Sequence, residues 1–202
     1  MKLRVGIIAG LAVSSFAGVG SAASLNDIVI KGPMAERINE KNELSVVVAE
    51  KIAKHCVEEA ASKNFSVSVV LLDQYGTIIY YYRADGQPKG ATESALAKAK
   101  TAWQTRAPSH ALQNRVTLDP SQSATALLQG NFPTAGGLPI VVDHQFLGAI
   151  GVGGMPANPP VWSDEICGWN ALNAVIGQQP PLLENAVRQG TAPPAAPAAP
   201  TR

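Results

Sequence analysis

After residue 43 the chain begins with a stretch whose apolar residues recur at helical spacing. Between residues 44 and 63 they fall on one face of a helix, and charged side chains occupy the other side. The members of the apolar face are Val46, Ala49, Ala53, Cys56, Val57 and Ala60. This pattern predicts an amphipathic helix that buries its apolar face against a core.

Two β-hairpins are predicted where short apolar runs are separated by turns. The first pairs residues 66–73 with residues 77–83, and its turn ends in a glycine. The second pairs residues 138–142 with residues 146–152. Because the strands of a hairpin are antiparallel, the two hairpins together predict an antiparallel sheet.

Two further helices complete the predicted order helix–hairpin–helix–hairpin–helix. Alanines at helical spacing predict one helix over residues 91–103, and Ser163 or Asp164 can cap the other, which runs to about Ile176. The polar stretch 105–135 predicts only short helical turns and loops. The order is typical of an α+β domain whose helices cover an antiparallel sheet.

The two ends of the chain differ in composition from its middle. Lys2 and Arg4 precede an apolar run that ends in small residues at Ala23. This predicts a cleavable signal peptide over residues 1–23, because the run is shorter than the roughly 20 residues that a membrane anchor, the alternative, requires. We therefore expect a periplasmic or secreted protein whose mature chain has no membrane span.

The rest of the chain divides into three parts. Residues 24–43 are poorly patterned and predict an N-terminal arm, residues 44–178 form the domain, and residues 179–202 are a Pro/Ala-rich tail, disordered from Thr191 onward.

Charge and motifs exclude several classes of protein. The chain has 16 Lys and Arg against 15 Asp and Glu, which lacks the basic excess of a nucleic-acid-binding protein. It also lacks a G-x-G-x-x-G motif followed by a helix, so no nucleotide site is expected.

Three segments resemble the family of small haem-binding proteins related to GlcG and HbpS, also called the haem-degrading domain family. The segments are residues 70–76 with 83–86, residues 94–102, and residues 136–140 with 148–154 and 164–165. The resemblance covers about residues 44–176. It implies a profilin-like fold and a homo-oligomer. It also implies noncovalent binding of haem or a related tetrapyrrole, which some members of the family degrade.

The chain departs from the family pattern beside the expected ligand region. Gly153 stands where the family usually has serine, and Gln87 stands where it usually has a small residue. These departures bear on which ligand is bound.

Three polar residues of the second helix are candidate ligand contacts. Ser94, Lys98 and Thr101 fall on one strip of the helix, beside its alanine face. The ammonium of Lys98 suits a carboxylate such as a haem propionate. The alternative is a lysine that reaches solvent from the rim of the core.

Other candidates lie at strand ends and at the start of the last helix. Arg83 suits a carboxylate partner, or it pairs with Asp85 in a turn. Gly151 and Gly153 form either a floor beneath a flat ligand or a site of close packing. Asp164 is a ligand contact or simply a helix cap.

The three histidines, His55, His110 and His144, are each predicted to lie at the surface. If haem iron requires a histidine, His110 is the candidate, because it is nearest in sequence to Lys98.

The two cysteines face the core in the first and last helices. In a profilin-like fold these helices pack on the same side of the sheet, so we predict a disulfide between Cys56 and Cys167; two separate buried thiols are the alternative. The last helix also carries Ile166, Trp169 and Ile176 on its far side, which predicts an oligomer contact.

The sequence leaves three functions open. The first is haem or tetrapyrrole binding. The second is an enzyme, an isomerase or a hydrolase, that acts on a small organic acid with Lys98 and either Asp85 or Asp164. The third is a structural accessory subunit.

Overall fold

The computed structural model describes residues 42–155 and 162–185. The predicted signal peptide, nearly all of the predicted N-terminal arm, the proline-rich segment 156–161 and the chain from residue 186 lie outside these residues. The described part contains five helices and four strands. In chain order they are α1 (Val46–Ser62), β1 (Ser68–Asp73), β2 (Ile78–Arg83), α2 (Lys89–Thr105), α3 (Ser109–Leu118), α4 (Gln122–Leu128), β3 (Gly137–Val142), β4 (Gln145–Gly153) and α5 (Asp164–Ile176).

The four strands form one antiparallel sheet in the order β2–β1–β4–β3. Each predicted hairpin forms, and the two hairpins join through β1 and β4, which pair from Ser68 opposite Gly153 to Asp73 opposite Gly148. The α+β fold predicted from the sequence is confirmed.

Helices cover both faces of the sheet. On one face α1 and α5 pack together over the main core, which includes Ile52, Val69, Ile150 and Leu172. On the other face α2 packs its small residues over Val70 and Leu72 of β1, and α3 also contacts β3. The polar groups of α2 and of the start of α5 meet at one end of the sheet, where the candidate site lies.

Residues 105–135 form more regular structure than the sequence predicts. The stretch contains α3 and α4 rather than short turns and loops. The buried residues of α3 are Ser109, His110 and Leu112. Because two of these three are polar, the apolar periodicity that normally reveals a helix is missing.

A disulfide joins Cys56 of α1 to Cys167 of α5, which confirms the predicted pair. The Cα atoms of the two cysteines are 5.1 Å apart, within the usual range for a disulfide.

The first part of the predicted tail packs onto the domain. Gln179 is buried, the indole of Trp169 donates to the carbonyl of Pro180 at 2.7 Å, and Leu182 packs against the main core. The segment therefore covers part of α5, whose Ile166 and Ile176 are half-buried. The stretch from Thr191 lies outside the described residues.

Within the described ranges, no helix has both the length and the apolar character that crossing a bilayer would take.

Candidate functional site

A cleft of about 820 Å³ opens between α2, α3 and the N-terminus of α5. One wall is apolar and the floor is charged. The apolar side chains include Phe132, Met155, Trp162, Ile166 and Leu182, and the charged or titratable ones are Lys98, His110, Asp164 and Glu165.

Lys98 and Asp164 form a buried ion pair at the floor of the cleft. Lys98 Nζ lies 2.7 Å from Asp164 Oδ2 and also donates to the carbonyl of Val152 at 3.2 Å. The second oxygen of Asp164 accepts from the Met155 backbone N–H at 3.1 Å. Lys98 thus turns inward, and the alternative of a lysine at the rim that reaches solvent is excluded.

The helix cap of α5 is Ser163, whose Oγ accepts from the backbone N–H of Ile166. The Asp164 carboxylate is therefore committed to Lys98 and Met155 instead of to the cap. Burial raises the pKa of Asp164 above its ordinary value, even though the Lys98 ammonium lowers it in part.

His110 and Glu165 form a second buried pair beside the first. His110 Nδ1 lies 2.9 Å from Glu165 Oε2, and His110 Nε2 lies 2.9 Å from Asn185 Oδ1. The prediction that His110 lies at the surface is wrong, because only 3 % of the residue is exposed. Its imidazole is buried because both ring nitrogens find polar partners.

The other two histidines do not line the cleft. His144 is exposed, as predicted, whereas His55 is half-buried on α1.

Glu165 has one carboxylate oxygen in use and one free. Oε2 contacts His110, while Oε1 is buried and has no hydrogen-bond partner among the described residues. Burial raises the pKa of Glu165, and the nearby His110 and Lys98 counteract this only in part. The two acids at the start of α5 thus differ, because both oxygens of Asp164 are occupied.

The remaining predicted residues of α2 divide between the cleft and the core. Ser94 lines the cleft, and its hydroxyl donates to the carbonyl of Ala91 at 2.8 Å. Thr101 is fully buried away from the cleft, where its hydroxyl donates to Ala97 and accepts from the Phe132 N–H.

Gly151 and Gly153 lie beneath α2 and do not line the cleft. A Cβ on Gly151 would collide with the backbone of Ala95 and Ala99, and a Cβ on Gly153 would collide with the carbonyl of Ala91. These glycines therefore let the helix approach the sheet closely, which is the packing alternative considered above.

Arg83 and Asp85 are exposed at the end of β2, away from the cleft. The Arg83 guanidinium donates twice to the carbonyl of Gln87, at 3.0 and 2.5 Å. The Gln87 side chain in turn donates to the backbone and hydroxyl of Ser66. Gln87 thus fastens the loop after β2.

The sequence alone identifies Ser94, Lys98 and Asp164 of this cleft as ligand candidates and His110 as a candidate iron ligand, but it misses Glu165 and Asn185. In the part of the chain that the structure describes, no group of three or more His, Cys, Asp or Glu side chains is arranged to hold a metal ion.

Comparison with known proteins relates the chain to a family. Residues 44–167 match the family described as haem degrading protein HbpS-like. Protein GlcG of Escherichia coli strain K12 is 33% identical over 109 residues, which cover 54% of this chain and 80% of that protein.

Two solved structures are similar in fold. One is a double mutant of Streptomyces reticuli HbpS, with a TM-score of 0.60 and 28% identity, covering 78% of this chain and 99% of that one. The other is a PduOC:heme complex, with a TM-score of 0.58 and 22% identity, covering 66% of this chain and 96% of that one. Since the family match extends over more than half of the sequence, the chain belongs to the family of HbpS-like haem-degrading proteins.

Proposed function

We propose that the protein binds haem or a related tetrapyrrole noncovalently in the cleft between α2, α3 and α5. The observation that carries the proposal is the cleft itself, whose volume of about 820 Å³ and apolar wall suit a large flat ligand. Support also comes from membership of the HbpS-like family and from the similar fold of PduOC, whose solved structure contains heme.

The lining residues fit the tetrapyrrole ring better than they fit its iron and its propionates. Phe132, Met155 and Ile166 are half-buried and offer apolar surface to a ring, and the Met155 thioether is of a type that ligates haem iron. His110 has both ring nitrogens engaged, and the Lys98 ammonium is paired with Asp164. When haem is bound, its iron supplies redox chemistry, and the protein's own residues supply the enclosure.

The experiment is a titration of the protein with hemin, followed by Soret absorbance, using a variant that fills the cleft. Gly90 lines the cleft, and a Cβ placed there meets nothing within 4 Å. Gly90→Trp should therefore obstruct the cleft without disturbing the core. Lys89→Trp is the matched control, because Lys89 is the adjacent exposed residue of α2 and does not line the cleft.

We expect saturable binding of one hemin per chain, weakened at least about tenfold by Gly90→Trp and unchanged by Lys89→Trp. Equal affinities in the two variants would place hemin elsewhere, and the absence of saturable binding would overturn the proposal.

An enzyme acting on a small organic acid is the second candidate, and one observation favours it. Glu165 is a buried carboxyl with a raised pKa that contacts a histidine within a cleft, as groups that transfer protons often do. Asp85, which the sequence offered as a partner of Lys98, lies away from the cleft. This candidate would lead if hemin failed to bind while a small carboxylic acid protected the protein against thermal unfolding.

Export and self-association belong to the same proposal. The disulfide between Cys56 and Cys167 supports a periplasmic or secreted location, because such bonds persist in oxidising compartments. The sequence read from the N-terminus of the protein in a periplasmic or culture fraction should begin near residue 24.

Light scattering of the mature protein tests the proposed homo-oligomer. A purely monomeric mature protein would contradict it.

A further inference from the structure

Glu165 lines the cleft and carries a buried hydrogen-bond acceptor that no described residue uses. Only 5 % of the residue is exposed, and Oε1 has no hydrogen-bond partner among the described residues. A buried polar atom without a partner lowers stability relative to a satisfied one. A ligand that donates a hydrogen bond to Oε1 would therefore bind with an advantage.

The basic side chains that line the cleft are already occupied. Lys98 contacts Asp164 and the Val152 carbonyl, and His110 contacts Glu165 and Asn185. An anionic or electron-pair-donating ligand would have to displace one of these partners. The cleft is thus better prepared for a ligand that donates hydrogen bonds than for one that only accepts them.

Tetrapyrroles differ in the hydrogen-bond donors that they offer. In haem the four ring nitrogens hold iron and carry no hydrogen, and the propionates are ionised at neutral pH, so the molecule offers no hydrogen-bond donor. An open-chain tetrapyrrole carries pyrrole and lactam N–H groups along its inner edge. An N–H donated to a carboxylate is a charge-assisted hydrogen bond, which is stronger than a neutral one.

We propose that the cleft takes an open-chain tetrapyrrole whose N–H groups donate to Glu165 Oε1, in preference to the iron-loaded ring. This inference rests on the proposed tetrapyrrole-binding function and names the form of ligand that the cleft favours.

The first test compares biliverdin with hemin on the full chain by absorbance titration. The two probes have comparable side groups and differ in the opened ring with its lactam groups, in the N–H groups and in the iron. We expect the dissociation constant for biliverdin to be at least about tenfold lower, with both ligands weakened by Gly90→Trp. Hemin binding as tightly as biliverdin, or more tightly, would overturn the inference and leave the proposed function intact. If neither ligand binds in the cleft, both fail.

The second test assigns the preference to Glu165. Glu165→Gln keeps the shape of the side chain and removes its charge, so biliverdin binding should weaken about tenfold while hemin binding changes less than about twofold. Glu93→Gln is the control, because Glu93 is an exposed acid of α2 outside the cleft. An equal loss for both ligands, or no loss for biliverdin, would contradict the role of Glu165. The comparison of ligands on the unaltered protein remains decisive if this variant fails to fold.

Discussion

The ion pair between Lys98 and Asp164 is almost completely removed from water. The side chains of Lys98 and Asp164 are 5% and 9% exposed. The cost of desolvating two such charges largely offsets their attraction, so the pair contributes little net stability. Removing one partner is a different matter, because the other then remains buried without its counter-charge.

Lys98→Met should therefore lower the free energy of unfolding by about 3–5 kcal/mol. The double variant Lys98→Met/Asp164→Asn should recover a large part of this loss, because the introduced amide is neutral and its oxygen can still accept from the Met155 N–H. Urea denaturation of the two variants and the unaltered protein measures both effects. A double variant no more stable than Lys98→Met would show that lost packing, rather than the uncompensated carboxylate, causes the destabilisation.

Asp164 gives the pH dependence of stability an unusual sign. Its pKa is raised by burial, so the folded protein holds the proton more tightly than the unfolded chain does. The stability that this group contributes is complete below its ordinary pKa of 3.8. It declines as the pH rises above that value, until the pH passes the raised pKa of the folded state.

The unaltered protein should accordingly lose stability relative to Asp164→Asn as the pH rises from about 3 into the mildly acidic range. Taking the difference between the two proteins removes the titrations that they share. Urea denaturation of both proteins across the range measures it. A difference that instead grows in favour of the unaltered protein would mean that Lys98, and not burial, dominates the pKa of Asp164.

At the scale of single residues, the sequence predicts one half of the site. Lys98 stands on the strip of α2 beside the alanines and could be singled out from helical periodicity. The sequence offers His110 only as an iron ligand. Its buried pair with Glu165 could not be predicted, because such a pair leaves no periodic trace and joins two elements that are 55 residues apart. The sequence also indicates Asp164, but it leaves open whether Asp164 pairs with Lys98 or caps the helix.

At the scale of elements, α2 and β4 approach each other closely because glycine lines the contact. A Cβ on Gly151 would lie 2.6 Å from the backbone nitrogen of Ala99 and 2.8 Å from its Cβ. Any side chain there pushes α2, and with it Ser94 and Lys98, away from the sheet. The position of the cleft floor thus depends on glycines outside the cleft.

Gly151→Ala should lower the free energy of unfolding by about 1–3 kcal/mol, because the helix must move to make room. Gly168→Ala is the matched control within α5. A Cβ there would meet Val152 Cγ2 at 3.4 Å, an ordinary contact. Since alanine favours a helix over glycine, Gly168→Ala should stabilise by up to about 1 kcal/mol. Thermal and urea denaturation compare the two, and equal effects would refute the packing argument.

The sequence predicts those helices and strands whose apolar residues recur periodically. The four strands and α1, α2 and α5 lie within a few residues of their predicted bounds. The sequence does not predict α3 and α4, since two of the three buried residues of α3, Ser109 and His110, are polar and α4 buries only Ala126. These two helices depend on contacts with the rest of the fold rather than on an apolar face of their own.

At the scale of the whole molecule, the disulfide links the two helices of one face across a sequence separation of 111 residues. In the chain-entropy account, so long a closed loop restricts the unfolded chain and stabilises the fold by roughly 4–5 kcal/mol.

The double variant Cys56→Ala/Cys167→Ala should lose a stability of about this size in urea denaturation, with little change to the cleft. Adding dithiothreitol should lower the denaturation midpoint of the unaltered protein and leave that of the double variant unchanged. A midpoint that does not move, once thiol titration shows full reduction, would contradict the stabilising role.

The disulfide also closes residues 56–167 into a covalent ring and leaves the rest of the chain outside it. The sheet, α2, α3 and α4 all lie between Cys56 and Cys167. A single proteolytic cut anywhere in that interval leaves the two fragments joined, so they separate on a gel only after reduction. A cut between Cys167 and Asn185 instead releases the piece that holds Asn185, and His110 loses its second partner.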